Sequence, residues 1–288
     1  MTCSEVFFES FNMSIEAAYD AYFKIAEKDI LKGLSGNEEE LHSYVANAAS
    51  RWSGTPLDEL GSMTPEEYLN SINTLEELLE MFREGAVICD DGLPGLFLNK
   101  LRSFGDEAVE ALLGFCSDFS LLDGGEGSFM IPLSAVQVLG EWKLPEAVDT
   151  LTAMLDYTGD VCDLLYEKIC MALLSIGKPA IDSIIKAIES RDADSPQIEY
   201  LLSSLADTAC KSPSDAVYRC LKNSFLNMSN KSVGAFCLGN YGDGRAIPAL
   251  RGYLVKNRDS VDKETFFDII SAINRLGGNT DDLGNGDD

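Results

Sequence analysis

Histidine is nearly missing from this chain: among 288 residues, His42 alone carries an imidazole. A serine–histidine or cysteine–histidine mechanism has only that side chain to use. It stands in the acid-rich stretch Glu40-Leu41-His42-Ser43-Tyr44 with no nucleophile motif beside it, and reads as a surface or cap residue. Basic residues are scarce as well. Lys and Arg total 22 against 48 Asp and Glu, a formal net charge of −26. Residues 1–92 hold 5 basic and 19 acidic side chains, residues 93–276 hold 17 and 25, and residues 277–288 hold four Asp and no base. No segment is net positive, which argues against nucleic acid as a partner, since that binding draws on Lys and Arg at phosphates.

Other features are absent too. No run of about 18 apolar residues occurs, so no membrane-spanning helix is expected. Met1-Thr2-Cys3-Ser4-Glu5 lacks the positive start of a secretory leader. The eight cysteines are scattered and form no Cys-x-x-Cys, which speaks against a zinc site. Several lie in apolar helical runs such as Lys168-Ile169-Cys170-Met171-Ala172 and Gly234-Ala235-Phe236-Cys237-Leu238, the pattern of core thiols in a reducing, cytoplasmic protein. Gly177-Lys178-Pro179 is no phosphate loop, because Ala172 stands where the second glycine belongs and Pro follows the Lys. Gly239, Gly242 and Gly244 follow no strand, so they read as a turn. The acid groups Asp90-Asp91, Asp156 with Asp160 and Asp163, and Asp281-Asp282 sit at helix ends or in polar loops; the middle one lacks the Gly and final Glu of a calcium loop. No catalytic residue, cofactor or metal is therefore expected.

What the chain does hold is a repeat. Ala followed by Val or Ile, with an apolar residue four places after the Ala, recurs at Ala108, Ala147, Ala180, Ala216 and Ala246, at steps of 39, 33, 36 and 30 residues. These positions share one helical face. Four of the five alanines follow a glycine (Gly105, Gly140, Gly177, Gly244); the fourth unit carries Lys211-Ser212-Pro213-Ser214 instead. A preceding helix often ends in Ala-x-x-x-Leu/Ile-Gly, as at Ala135–Gly140, Ala172–Gly177 and Ala272–Gly277, where Gly is expected to close the helix in a left-handed conformation. The unit is helix, glycine turn, helix. One such pair cannot bury its apolar face alone, so stacked pairs are expected.

The stretch Leu238-Gly239-Asn240-Tyr241-Gly242-Asp243-Gly244-Arg245-Ala246-Ile247-Pro248-Ala249-Leu250 resembles the HEAT-like repeat of the kind also found in phycobilisome lyases. Leu139 through Leu151 is a second match; the units at Ala108, Ala180 and Ala216 lack the Asp-x-Arg pair. The resemblance covers roughly residues 92–277. It implies an all-α, right-handed α-α superhelix used mainly for protein contacts. Lyase activity does not follow from it, because a fold does not fix a function.

The N-terminal third is helical but built differently. A helix is expected over Ser14–Leu34 and another over Glu38–Arg51 capped by Asn37. Thr55-Pro56-Leu57-Asp58, Thr64-Pro65-Glu66-Glu67 and Thr74-Leu75-Glu76-Glu77 read as helix starts. Thr64-Pro65-Glu66-Glu67-Tyr68 and Phe82-Arg83-Glu84-Gly85-Ala86 also resemble the leading segment of uncharacterised bacterial HEAT-repeat proteins. The expected organisation is a helical cap region over 1–91, a solenoid of about five units over 92–276 and a disordered acidic tail over 277–288, with a flexible loop at Asp118–Gly127.

In solenoids of this type the second helices line the concave side. Two places after each Ala stand Glu110, Asp149 and Asp182, facing away from the core; the last two units place Arg219, Lys222 and Arg251 at nearby offsets. Two readings follow. The charges are a solvated face, or they form a bipolar groove for a peptide or protein. The function expected first is a non-enzymatic interaction scaffold. The alternatives are an acidic inhibitor or immunity-type protein covering a basic partner, and a lyase-like or ligand-handling protein.

Overall fold

The structure, a computed structural model, describes residues 1–30, 38–89, 92–125, 127–210 and 213–284. The cap expected at Asn37, the Asp90-Asp91 pair and Lys211-Ser212 fall outside them. The described chain is all-α. Its sole β feature is an isolated antiparallel bridge between Leu57 and Met63. Two compact units divide at Ala135/Val136, later than the start of the repeat pattern at 92.

The first unit holds α1 (Cys3–Ile30), α2 (Glu38–Ser53), α3 (Pro65–Ser71), α4 (Leu75–Ile88), α5 (Gly95–Arg102) and α6 (Asp106–Ser117). Helix α1 starts eleven residues before the expected Ser14. A capping box opens it: Thr2 Oγ1 accepts from the Glu5 backbone N–H at 3.1 Å, and Glu5 Oε2 accepts from the Thr2 N–H at 2.5 Å. Thr64 and Glu67 form the same device ahead of α3, and Thr74 caps α4 by accepting from the Glu77 N–H. Thr55-Pro56 starts no α-helix. The chain instead makes one 3-10 turn over Asp58–Leu60 and reverses at Gly61 and Ser62, both at positive φ. Phe7, Phe8, Phe82 and Phe97 are fully buried, and the Trp52 ring meets Phe7 edge-on at 4.9 Å. Asn12 Nδ2 donates to the Ile88 carbonyl at 2.6 Å, satisfying an acceptor at the open end of α4. The expected loop at 118–127 contains a 3-10 turn over Phe119–Leu121 and buries Leu122.

Helix α7 (Met130–Glu141) spans the division. The second unit continues with α8 (Val148–Met154), α9 (Cys162–Ile176), α10 (Ile181–Glu189), α11 (Pro196–Ala209), α12 (Asp215–Asn227), α13 (Lys231–Tyr241), α14 (Ile247–Lys256) and α15 (Lys263–Arg275). These are the expected helix pairs. The first helices α9, α11, α13 and α15 pack side by side in one layer, and the second helices α8, α10 and α12 in another. Three second helices are entered through a 3-10 turn ending in a fully buried alanine: Ala147, Ala180 and Ala246. The fourth repeat departs from this. Ser214 caps α12 directly, Ala216 is exposed and Val217 is fully buried, so its core register lies one residue later.

Gly177 and Gly277 take positive φ as expected of helix-closing glycines, and Gly242 does so in the expected turn, but Gly239 of that turn lies inside α13. Gly140 does not: it lies inside α7. A Cβ there would stand 2.6 Å from Ala172 Cα of α9, so its missing side chain sets the approach of two first helices. The Asp243-x-Arg245 pair joins repeats: the Arg245 guanidinium meets Asp243 at 2.7 Å and Asp215 of the preceding repeat at 2.6 Å, and lies 4.4 Å over the Tyr218 ring. Residues 277–284 of the expected disordered tail fold back along α14. Gly278 lies by Ile247, Arg251 ion-pairs with Asp282 at 2.5 Å, and Leu283 is buried.

Candidate functional site

The residues of the expected charged stripe stand on α6, α8, α10, α12 and α14. Glu110 is exposed on α6 of the first unit. Asp149 on α8 and Asp182 on α10 are exposed on neighbouring helices of the second unit, where Ser183 Oγ donates to Asp149 Oδ1 at 3.2 Å. These two carboxylates share a face. Arg219 is exposed, with its Nε donating to the Asp215 carbonyl of its own helix. In the shifted register of α12, Arg219 stands two places after the core position, the place of Asp149 and Asp182.

The other two cations differ from expectation. Lys222 is half-buried with its ammonium 5.7 Å over the Tyr218 ring. Arg251 is half-buried too, donating to the Asn279 carbonyl and paired with Asp282. Both stand five places after the core position, at the flank of the helix rather than on its solvent face. The basic end of the expected groove thus includes an arginine committed to holding 277–284.

A cleft lies in the other layer. Between α9 and α11 is a cavity of about 380 Å³ lined by Met171, Leu174 and Tyr200. Between α13 and α15 is another of about 370 Å³ lined by Phe236, Gly239 and Ala272. Ser203 and Val233 border both, so the two form one continuous cleft across four first helices. Its apolar side chains reach solvent: Met171 is 57% exposed and Phe236 is 52% exposed. Small residues make the floor. Gly239 packs near Ala272, where a Cβ would stand 3.3 Å from Ala272 Cα, so α13 and α15 pack closely beneath Phe236.

The rim of this cleft is acidic. Glu167, Glu199 and Asp207 line the α9–α11 cavity and Asp268 lines the α13–α15 cavity. Among the described residues none of these four is in an ion pair, and Glu199 accepts a hydrogen bond from Asn230 at 2.7 Å. Among the described residues the cleft's one lining cation is Arg275, which donates to Asn240 and lies 5.7 Å over the Phe236 ring. The negative charge is felt by two groups nearby. Burial raises the Tyr200 phenol above its usual range, and the Asp163 and Glu167 carboxylates raise it further. Burial pushes the Cys237 thiol up to about 12, with Asp207 and Glu199 adding to the effect.

The remaining candidates offer little chemistry. His42 is exposed on α2. Cys116, Cys170 and Cys220 are likewise pushed up to about 12 by burial, which keeps them as thiols rather than nucleophilic thiolates at neutral pH. Asp156 is taken by Arg191 at 2.5 Å. Among the described residues no three His, Cys, Asp or Glu side chains are grouped to hold a metal ion, and no helix is long and apolar enough to cross a membrane.

The cleft escaped the sequence reading because Met171, Leu174 and Phe236 lie in helices that are apolar on nearly every side. Such helices read as wholly buried. The available signal was that a two-layer array leaves one side of every first helix uncovered. Helices α9 and α13 spend that side on large apolar residues, where charged ones are the rule. No protein-family model matches this chain, and neither a curated protein nor a solved structure does.

Proposed function

We propose that the chain is a non-enzymatic interaction module that binds a protein or peptide partner on its second unit, in a reducing cytoplasmic setting. One observation carries this reading: the continuous cleft over α9, α11, α13 and α15, with large apolar side chains held open to solvent. Exposed apolar surface of this kind costs solubility and marks an interaction site. Eight cysteines spread along the chain, four of them buried, support the reducing compartment. The exposed Asp149 and Asp182 on the neighbouring helices α8 and α10 support the narrower variant of an acidic inhibitor that covers a basic protein.

The test is a pull-down with the tagged chain from its source lysate at low and high salt. The double substitution Met171→Ser with Phe236→Ser serves as the comparison. One stoichiometric partner, retained by the parent chain and lost with the double variant, is the expected result. A partner kept by the double variant but lost with Asp149→Lys and Asp182→Lys moves the site to the second helices. Nothing retained at either salt overturns the reading.

A further inference from the structure

We propose that the cleft across α9, α11, α13 and α15 receives a basic amphipathic helix of a partner protein. This rests on the interaction reading above and adds the chemistry of the occupant.

The spacing sets the shape. The two cavities lie over the α9–α11 and α13–α15 seams, two helix-to-helix steps apart. At roughly 8–10 Å per step their centres are about 16–20 Å apart. Eleven residues of α-helix rise about 16 Å and complete about three turns, which returns the side chain to the same face. A helix laid across the layer can therefore seat one large apolar residue in each cavity. Met171 and Leu174 offer a deformable wall in the first, and Phe236 a flat ring in the second.

The charge sets the sign. Glu167, Glu199, Asp207 and Asp268 flank the apolar floor, and Arg275 is turned onto Asn240 and the Phe236 ring. Lysines or arginines beside the two anchors would meet unpaired carboxylates along the cleft. The same arithmetic excludes other occupants. A second copy of this chain brings another −26 of charge to the acidic rim. An anionic lipid surface or a nucleic acid would be repelled in the same way.

The experiment uses the whole chain and three fluorescent peptides of about 20 residues, long enough to span both cavities: a Leu/Lys amphipathic helix, its Leu/Glu counterpart, and a Lys/Ala helix with charge but no large anchors. Binding is read by anisotropy, and circular dichroism checks that every variant keeps its helix content. The Leu/Lys peptide is expected to bind at one to one, the Leu/Glu peptide not at all, and the Lys/Ala peptide about tenfold more weakly or worse. Met171→Ser with Phe236→Ser should weaken Leu/Lys binding about tenfold. Glu167→Lys, Asp207→Lys and Asp268→Lys together should do the same, while Asp149→Lys with Asp182→Lys should leave it unchanged. All of these side chains reach solvent, so the variants should fold. Equal binding of the Leu/Glu peptide overturns the charge assignment. Leu/Lys binding that survives the cleft variants, or falls with the second-helix variant, overturns the site. Where the peptides fail but the lysate yields a stoichiometric partner, the occupant assigned here is wrong and the interaction reading stands; where both fail, both fall.

Discussion

Two glycines in helix interiors face opposite surroundings, and they predict opposite outcomes. Gly140 in α7 packs on the Ala172 backbone, where a Cβ would be 2.6 Å from Cα. Backbone cannot swing aside, so Gly140→Ala should destabilise the second unit by about 1–3 kcal/mol, the usual cost of overpacking. Gly252 in α14 has nothing within 4 Å of its added Cβ. Gly252→Ala should therefore stabilise by about 0.5–1 kcal/mol, because alanine loses less backbone entropy in a helix. Urea unfolding of the two variants checks both signs, and a stabilising Gly140→Ala would remove the close-approach argument. At the same scale, Glu199, Asp207 and Asp268 show how a side chain's role depends on its neighbours. On a helix beside polar residues they would be ordinary solvated acids; beside Met171 and Phe236 they become the rim of a cleft.

Loops between helix pairs are held by carboxylates. Asp194 accepts from the Ser229 backbone N–H at 2.5 Å and from its hydroxyl at 2.7 Å, tying the turn before α11 to the turn before α13. Those hydrogen bonds hold its carboxyl below the usual carboxylate range. Asp262 is lowered by the Thr265 backbone at the start of α15, and Asp243 by the Arg245 guanidinium. The sign follows. A group more acidic in the folded than in the unfolded chain contributes stability above its unfolded value, and the contribution is lost as pH falls through the folded one. Asp194→Asn should thus be less stable than the parent at pH 7, and the gap should close in the acid range below the ordinary Asp value. Denaturant midpoints across pH 2–7 decide it, and a gap independent of pH would show that the charge of Asp194 is not what matters.

Much of the helix layout was legible in the sequence because its signals are local. The helix starts at Thr64 and Thr74, the closing glycines 177 and 277, and the buried Ala147, Ala180 and Ala246 all follow from residues within one turn. Thr2 and Glu5 carry the same signal, but the apolar stripe of that helix is clearest only from Ile15 onward. The register shift at Val217 was hidden because Ala216-Val217 satisfies the repeat pattern while the cap at Ser214 moves the helix by one residue. Gly140 misled because Leu-Gly looks alike whether the glycine ends a helix or touches a neighbour. The cleft depends on four helices from residues 162 to 275 meeting in space, and no local pattern carries that.

At the scale of the molecule, an excess of 26 negative charges works against compactness and works for a basic partner. Salt screens both effects. Among the described residues the ion pairs are few and mostly exposed, so their weakening by salt should cost little. The unfolding temperature should therefore rise between about 10 and 200 mM NaCl, over which the screening length shrinks several-fold. Leu/Lys peptide affinity should fall over the same range. Differential scanning fluorimetry and anisotropy on one sample set read the two trends together, and a melting temperature that falls with salt would show that attractive pairs outweigh the general repulsion.

A stack of like parts needs a last part. Residues 277–284 run beside Ile247 and Arg251, one turn apart on α14, and reach Arg258 just past its end. They occupy that flank without being a helix, offering a buried Leu283 inward, Asp282 to Arg251 and Asp281 to solvent. Residues 277–284 thereby cover one flank of α14, as a plate laid against a stack of coins covers its face. Lengthening such an array by duplication would succeed where a unit enters ahead of α14. A unit added behind it would first have to displace the plate.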